Sequence, residues 1–370
     1  MRPLAIVRLA VRDLRNLEAI DVEPGPRFNV IHGDNGQGKT NLIESIYLVA
    51  TSKSFRSNKT AEMVRRDATQ ASVRGAIDED GMSREQSVGL ALERGMRTLR
   101  IDGVRPPSAA VFAARTPVVV FSPSSLTLSM GSSRERRALL DRVALYVDPT
   151  SFAELGSYQR ALRERQRTLE DRGVRAPDLE EWEELVVRHG LAVMRARESA
   201  ARAVLDEAKP AFERIAARGL AFLGRYVATA PSDPAEYRAA LASSRPRDLR
   251  RKSASVGPHR DDLVLELGGM SARTTASQGQ HRALVLALKA AEVAVIGRAR
   301  DVRPVLLLDD VSSELDADRT SALFGFLASQ RGQVFLTTTR PELIPRDLGE
   351  DEDPASHRVD FRIVGGRLSR

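Results

Sequence analysis

A strand-like run, Phe28-Asn29-Val30-Ile31-His32, ends in Gly33-Asp34-Asn35-Gly36-Gln37-Gly38-Lys39-Thr40, and Leu42, Ile43, Ile46, Tyr47 and Ala50 then recur at helical spacing. No other stretch limits the possible fold as tightly. A glycine-rich turn between a strand and a helix presents backbone amides and a helix N-terminus to an anion. The spacing predicts a Walker A loop in which residues Gly33, Asp34, Asn35, Gly36, Gln37 and Gly38 wrap the phosphates of a nucleotide. Lys39 reaches the β- and γ-phosphates and Thr40 offers its hydroxyl to magnesium, because a tetra-anionic nucleotide needs both neutralisation and orientation.

Further motifs downstream fit the same chemistry. Val305-Leu306-Leu307-Leu308-Asp309-Asp310 is an apolar strand ending in two carboxylates, the form of a Walker B motif. Asp309 is expected in the magnesium shell and Asp310 beside the attacking water, so Lys39 and Asp310 are the catalytic candidates. A strand followed by a helix-capping aspartate is the plainer alternative. Ser277-Gln278-Gly279-Gln280 stands just before the helical run from His281 to Leu288 and resembles an ABC signature. Alone, it is an N-cap and turn. Between the two Walker motifs, Ser277, Gly279 and Gln280 become candidates for binding the γ-phosphate held by a second copy of the chain. Ser313-Glu314-Leu315-Asp316 resembles the D-loop that crosses such a dimer interface. ATP and Mg2+ are the cofactors implied, and an ATP-dependent homodimer the assembly.

Composition narrows the setting. The chain has 370 residues, 42% of them hydrophobic, which is ample for a buried core of two domains or one two-lobed body. Cysteine is absent, so no disulfide framework or zinc-thiolate site is available, and the five histidines lack metal-ligand spacing. No apolar run approaches the roughly 18 to 20 residues of a membrane span, and no signal peptide is evident, so a cytoplasmic protein with no membrane partner is expected. A net charge of +7 favours a polyanionic partner, yet only six of the 57 basic residues are lysine. That bias can arise from codon usage, so position matters more than count.

The order of elements predicts an α/β protein, a P-loop head with a mixed sheet interrupted by a smaller helical arm. Strands are expected over residues 4–11 and 28–32, within 70–122, and at 263–267, 305–308 and 334–336, with a helix near 318–329. Phe152, Leu155, Tyr158, Leu162, Gln166 and Leu169 mark one amphipathic helix. A second is expected to start at Asp178 as N-cap and to bend or end at Pro210. The boundaries that follow are 1–124 for the first part of the ATPase lobe with Walker A, 125–254 for the arm, and 255–370 for the second part with the signature, Walker B and D-loop. Glu350-Asp351-Glu352-Asp353 reads as a solvated loop.

Asp13-Leu14-Arg15-Asn16-Leu17, Asn41 after Thr40, Lys53-Ser54-Phe55-Arg56, Val119-Val120-Phe121-Ser122-Pro123, Gly257-Pro258-His259-Arg260-Asp261-Asp262-Leu263 and Leu308 to Asp316 together resemble the RecF family. The run from Gly257 to Leu263 is particular to it. The resemblance implies an ABC-type ATPase that binds DNA, both duplex and gap junctions. It also implies work with RecO and RecR to help RecA load at single-strand gaps in repair and replication restart, and a weak DNA-stimulated ATPase used as a switch. Two departures stand out: Ser124-Ser125 where the family pattern is acidic, and Thr337-Thr338-Thr339 where transporter cassettes carry a switch histidine. A transporter cassette places its signature nearer Walker A, and an SMC-type head needs longer heptad runs than this arm offers. A DNA-binding structural protein with a non-hydrolysing ATP site is the alternative that phosphate release would separate. For DNA contact, Arg134-Arg136-Arg137, Arg160-Arg163-Arg165-Arg167 and Arg245-Arg247-Arg250-Arg251-Lys252 lie in or beside the arm, and the third cluster ranks first. Solvated helix faces are the plainer reading of each.

Overall fold

The computed structural model describes residues 1–57, 59–216, 220–310, 324–327, 331–345 and 358–370. The D-loop residues Ser313 to Asp316, most of the helix expected near 318–329 and the acidic run Glu350 to Asp353 lie outside the described residues. Two compact units are formed, Met1–Ser125 with Ile296–Arg370, and Leu126–Val295.

The first unit begins with β1 (Leu4–Leu14), β2 (Leu17–Val22), β3 (Phe28–His32), α1 (Lys39–Thr51), α2 (Thr60–Met63), β4 (Gln70–Glu79), β5 (Met82–Ala91), β6 (Met96–Ile101), α3 (Ala109–Ala114) and β7 (Val118–Phe121). The second unit holds α4 (Thr127–Met130), α5 (Ser133–Val147), α6 (Thr150–Arg172), α7 (Leu179–Ile215), β8 (Phe222–Val227), α8 (Pro234–Arg251), β9 (Asp262–Leu267), β10 (Met270–Ser271), α9 (Ala272–Thr275) and most of α10 (Gln278–Arg300). The chain then returns to the first unit with β11 (Val305–Leu308), β12 (Val334–Thr338), β13 (Arg358–Val364) and β14 (Arg367–Ser369).

In the first unit, a mixed sheet of order β14-β13-β3-β12-β11-β7 joins both ends of the chain, as the sequence implies. Its strands β13, β3, β12, β11 and β7 are parallel, and β14 is antiparallel. Strands β7, β11 and β12 are buried at every position, which suits the unbroken apolar runs of β7 and β11 and the Val334-Phe335-Leu336 start of β12. A separate antiparallel sheet runs β2-β1-β4-β5-β6. Asp80-Gly81 and Asp102-Gly103 close its turns with both residues at positive φ, the chemistry of a tight hairpin. Helix α1 packs against β1, β4 and β5 on one side and β7, β11 and β12 on the other. Burial all round follows, from Leu42 through Thr51. Each of Ile43, Ile46 and Leu48 contributes about 1.5 to 3 kcal/mol by leaving water. Gln333, also buried, pins β1 in place: its amide donates to the carbonyls of Ile6 and Gly25 and accepts from Ile6 N–H at 2.8 Å.

In the second unit, α6 and α7 pack along each other, and α7 is 37 residues long, about 55 Å at the helical rise. Pro210 does not end it. The helix continues to Ile215, since a proline within a helix forfeits one hydrogen bond while the buried face of Ala208, Ala211 and Phe212 stays packed. Asp178 occupies the N-cap position without capping, because its carboxylate binds Arg172 instead. Strand β9 pairs antiparallel with β8 and thereby belongs to this unit, which runs on to Val295 rather than closing at residue 254. Among the described residues no helix is long and apolar enough to cross a membrane.

Candidate nucleotide site and nucleic-acid interface

The Walker A turn is fixed from both sides by its own unit. Gly33 has φ +153, and any side chain there would drive into the Ile363 carbonyl of β13. Gln37 accepts from Gly366 N–H at 2.9 Å through its main chain and from Gly365 N–H at 2.6 Å through its side chain. From the β1–β2 turn, Asn16 reaches the Gly36 carbonyl at 3.4 Å and accepts from Asn41 at 2.7 Å. Thus the hairpin β13–β14 and the Asp13 to Leu17 turn clasp the loop. Helix α1 starts at Lys39 with Gly38 as N-cap and no side-chain cap, which leaves its first amides to an anion. Asp34, Asn35 and Gly36 are exposed, while Lys39 is 7% exposed. Lys39 Nζ donates to the carbonyls of Gly33 (2.6 Å) and Asp34 (2.9 Å). Burial pulls its pKa down, opposed by Asp310, Asp309 and Asp34.

The Walker B acids face this loop. Thr40 Oγ1 donates to Asp309 Oδ1 at 2.8 Å, and Thr337 Oγ1 lies 3.0 Å from the same oxygen. Asp310 N–H donates to Thr337 Oγ1 at 2.8 Å, and Asp310 sits at φ +51. Asp309 is buried, and burial raises its pKa, while hydrogen bonds from Thr40 and Thr337 oppose the rise. A hydroxyl and a carboxylate this close are hard oxygen donors of the kind magnesium takes with phosphate and water completing its shell.

Sequence reasoning missed two parts of this site. In the sequence Thr337 stands out only for what it replaces, yet it ties Asp309 to Asp310. Glu44, fully buried in α1, holds Arg15 through a paired contact at 2.9 and 2.8 Å and also meets Arg56 at 3.4 Å. The motif runs containing Arg15 and Arg56 were visible; their shared partner was not, since a contact between distant positions leaves no local pattern. Ser122 to Ser125 bond among themselves, with Ser122 Oγ 2.8 Å from Ser124 Oγ and Ser122 N–H donating to Ser125 Oγ at 3.1 Å.

The candidate signature residues stand in the second unit. Ser277 Oγ accepts from Gln280 N–H at 3.3 Å and Gln280 Oε1 accepts from Ser277 N–H at 2.8 Å, a reciprocal capping box. Ser277 is exposed and Gly279 and Gln280 are half-buried, so the cap coexists with an outward-facing turn.

In the run Gly257 to Asp262, Gly257, Pro258 and Asp261 are buried and anchor contacts within that unit, while Arg260 is exposed. The hydroxyls of Tyr158 and Tyr237 stand where a side chain on Gly257, at φ +131, would go. Tyr158 meets His259 Nδ1 at 2.6 Å, and Asp261 binds Tyr226 and Thr229. Arg197 holds Asp141 at 2.6 and 2.9 Å.

The arginine clusters divide. Arg165 is fully buried between Glu183 (3.0 Å) and Asp248 (2.9 Å), and Arg136 is largely buried against Asp262, so both are committed to internal ion pairs. Arg245 is engaged by Glu183 at 3.0 and 2.6 Å. Arg247, which bonds Ser255, and Arg250, Arg251 and Lys252 are exposed at the end of α8. Cations there also suit the helix macrodipole.

The RecF/RecN/SMC N terminal domain family matches residues 5–347. The DNA replication and repair protein RecF of Anaeromyxobacter sp. (strain Fw109-5) is 38% identical over 99% of both chains, and that of Geobacter sp. (strain M21) is 34% identical over 99% of this chain and 100% of its own. A solved structure of the recombination mediator protein RecF-ATP in the RecFOR pathway superposes with TM-score 0.86 at 26% identity, covering 100% of this chain and 99% of that one. The Smc head domain of Pyrococcus furiosus, at 15% identity, 99% and 95% coverage and TM-score 0.54, shares the fold. Motif, geometry and likeness converge: the chain belongs to the RecF family of DNA replication and repair proteins.

Proposed function

We propose that this chain is an ATP-gated DNA clamp, in which nucleotide binding pairs two copies and hydrolysis releases them. The single observation that carries the reading is the Thr40–Asp309 hydrogen bond, which draws the Walker A hydroxyl and the Walker B carboxylate onto one point. Those two oxygens would hold magnesium, whose chemistry is to neutralise and orient the β- and γ-phosphates. Lys39 gives up its contacts to the Gly33 and Asp34 carbonyls to reach phosphate oxygens, and Asp310 orients the attacking water. Each chain then offers its Ser277 turn to the γ-phosphate bound by the other. Charge-assisted hydrogen bonds of roughly 1.5 to 3 kcal/mol each, repeated at two sites, reach the approximately 5.5 kcal/mol that swings an equilibrium from 1:99 to 99:1.

DNA is held through phosphate contacts, for which Arg247, Arg250, Arg251 and Lys252 are placed at an exposed helix end, with Arg245 less free to take part. The solved structure named for the RecFOR pathway supports action with RecO and RecR; in this reading the chain works in the cytoplasm to help load RecA at gaps, with slow DNA-stimulated ATP turnover as the switch. Footprinting on a gapped duplex tests this. Protection near the junction is expected with ATP, and loss of it with ADP and in Lys39→Ala; equal protection in all three would refute the gating. Phosphate release by the wild type with DNA separates this reading from a clamp that never hydrolyses.

A further inference from the structure

The candidate signature turn is held from behind by buried polar groups that the motifs do not explain. Directly after the Ser277–Gln280 capping box comes His281, 4% exposed, whose Nδ1 shares a 2.7 Å hydrogen bond with Ser129 Oγ, 1% exposed. Ser129 lies on α4, a single turn that is itself gripped. Arg136 donates from one terminal nitrogen to the carbonyls of Leu128 (3.2 Å) and Gly131 (3.1 Å), at the end of that turn. Through Nε and its other terminal nitrogen, Arg136 holds both oxygens of Asp262 at 2.7 and 2.9 Å. Asp262 is the second acid of the Gly257 to Leu263 run. An unbroken series therefore leads from Asp262 through Arg136, α4 and Ser129 to His281, within one unit.

Packing alone gives little reason for this series. It stands beside an apolar cluster that includes Leu128, Ala283 and Leu284, where aliphatic side chains would fill the space without the cost of removing a guanidinium and an imidazole from water. Directional contacts fix what apolar contacts leave free: the height and rotation of the first turn of α10.

We propose that Asp262, Arg136, Ser129 and His281 are positioning residues that hold the Ser277–Gln280 turn where its hydroxyl and amides meet a γ-phosphate presented by a second copy. The inference rests on the ATP-dependent pairing proposed above and assigns the device that aims it. An error of about 1 Å in such a placement costs up to roughly 100-fold.

The test uses the full chain as wild type, Ser129→Ala, His281→Ala, the double variant and Arg136→Lys, the last replacing a rigid fork by a point donor. Three quantities are measured: ATP binding at protein concentrations too low for pairing, ATP-dependent association by sedimentation velocity, and the melting temperature. Expected for Ser129→Ala is unchanged ATP binding and a melting temperature lowered only by the loss of one buried hydrogen bond, the chain staying folded at the assay temperature, with association weakened roughly 10- to 100-fold. The double variant is expected to lose no more than the worse single variant, because one series is broken in each case. Arg136→Lys, which loosens a buried ion pair, is expected to melt lower as well, with association falling further than the melted fraction accounts for. Association of Ser129→Ala equal to wild type overturns the proposal, as do losses that multiply in the double variant or that track the melted fraction. If the wild type itself does not associate with ATP, pairing fails first and is recognised as such by the absent wild-type signal.

Discussion

Thr40 Oγ1 lies 2.8 Å from Asp309 Oδ1, a contact between residues 269 positions apart that closes the Walker A loop onto the end of β11. A hydrogen bond to a charged group is worth about 1.5 to 3 kcal/mol. Thr40→Ala is expected to weaken magnesium-dependent ATP binding roughly 10- to 100-fold while leaving magnesium-free binding nearly unchanged. Nucleotide titration with and without magnesium checks this, and equal losses in both would place Thr40 outside the cation site.

Gly33 combines φ +153 with the Ile363 carbonyl where a side chain would stand. Gly33→Ala is expected to destabilise the chain by about 1 to 3 kcal/mol from backbone strain, with ATP binding lost as β13 is pushed from the loop. Denaturant unfolding measures the first effect and titration the second. A variant that binds ATP and unfolds like the wild type would contradict the clasped-loop geometry.

Two arginine clusters that look alike in sequence are expected to behave differently. Arg165 is buried between Glu183 and Asp248, and removing one partner of such a group costs about 3 to 5 kcal/mol. Arg165→Ala therefore lowers the unfolding midpoint. Replacing exposed Arg250, Arg251 and Lys252 together by alanine leaves stability nearly unchanged, weakens DNA binding and flattens its salt dependence by up to about one phosphate contact per residue. Unchanged affinity at two salt concentrations removes the DNA assignment from α8.

Acid should loosen the second unit. Burial holds His259 and His281 below the ordinary histidine value of 6.5. The unfolded chain therefore binds their protons more readily than the fold does, so their stabilisation is complete above about pH 6.5 and is lost as pH falls toward the folded values, at up to about 1.4 kcal/mol per pH unit for each. Melting curves between about pH 7.5 and pH 5 should show this slope, reduced in His281→Gln. An identical slope in wild type and variant would reject the assignment.

The strand, glycine-rich loop and helix of the candidate nucleotide site were legible because β3, the loop and α1 follow one another directly. Strands β7, β11 and β12 were legible as apolar runs because the parallel sheet buries them. What stayed hidden depends on distant partners. Nothing local announces that Glu44 serves Arg15, that Gln333 pins Ile6, or that β9 pairs with β8 and so joins the helical unit. Position alone points to Asp178 as a cap, and Arg172 claims its carboxylate instead. Gly257 was recognisable only through family likeness; the two tyrosine hydroxyls beside it supply the physical reason for the glycine.

The central claim is that ATP joins two copies of this chain. Sedimentation velocity of Asp310→Asn, which should bind ATP without turning it over, tests it most directly. A monomer without nucleotide and a dimer with ATP are predicted; one unchanged species under both conditions would contradict the account.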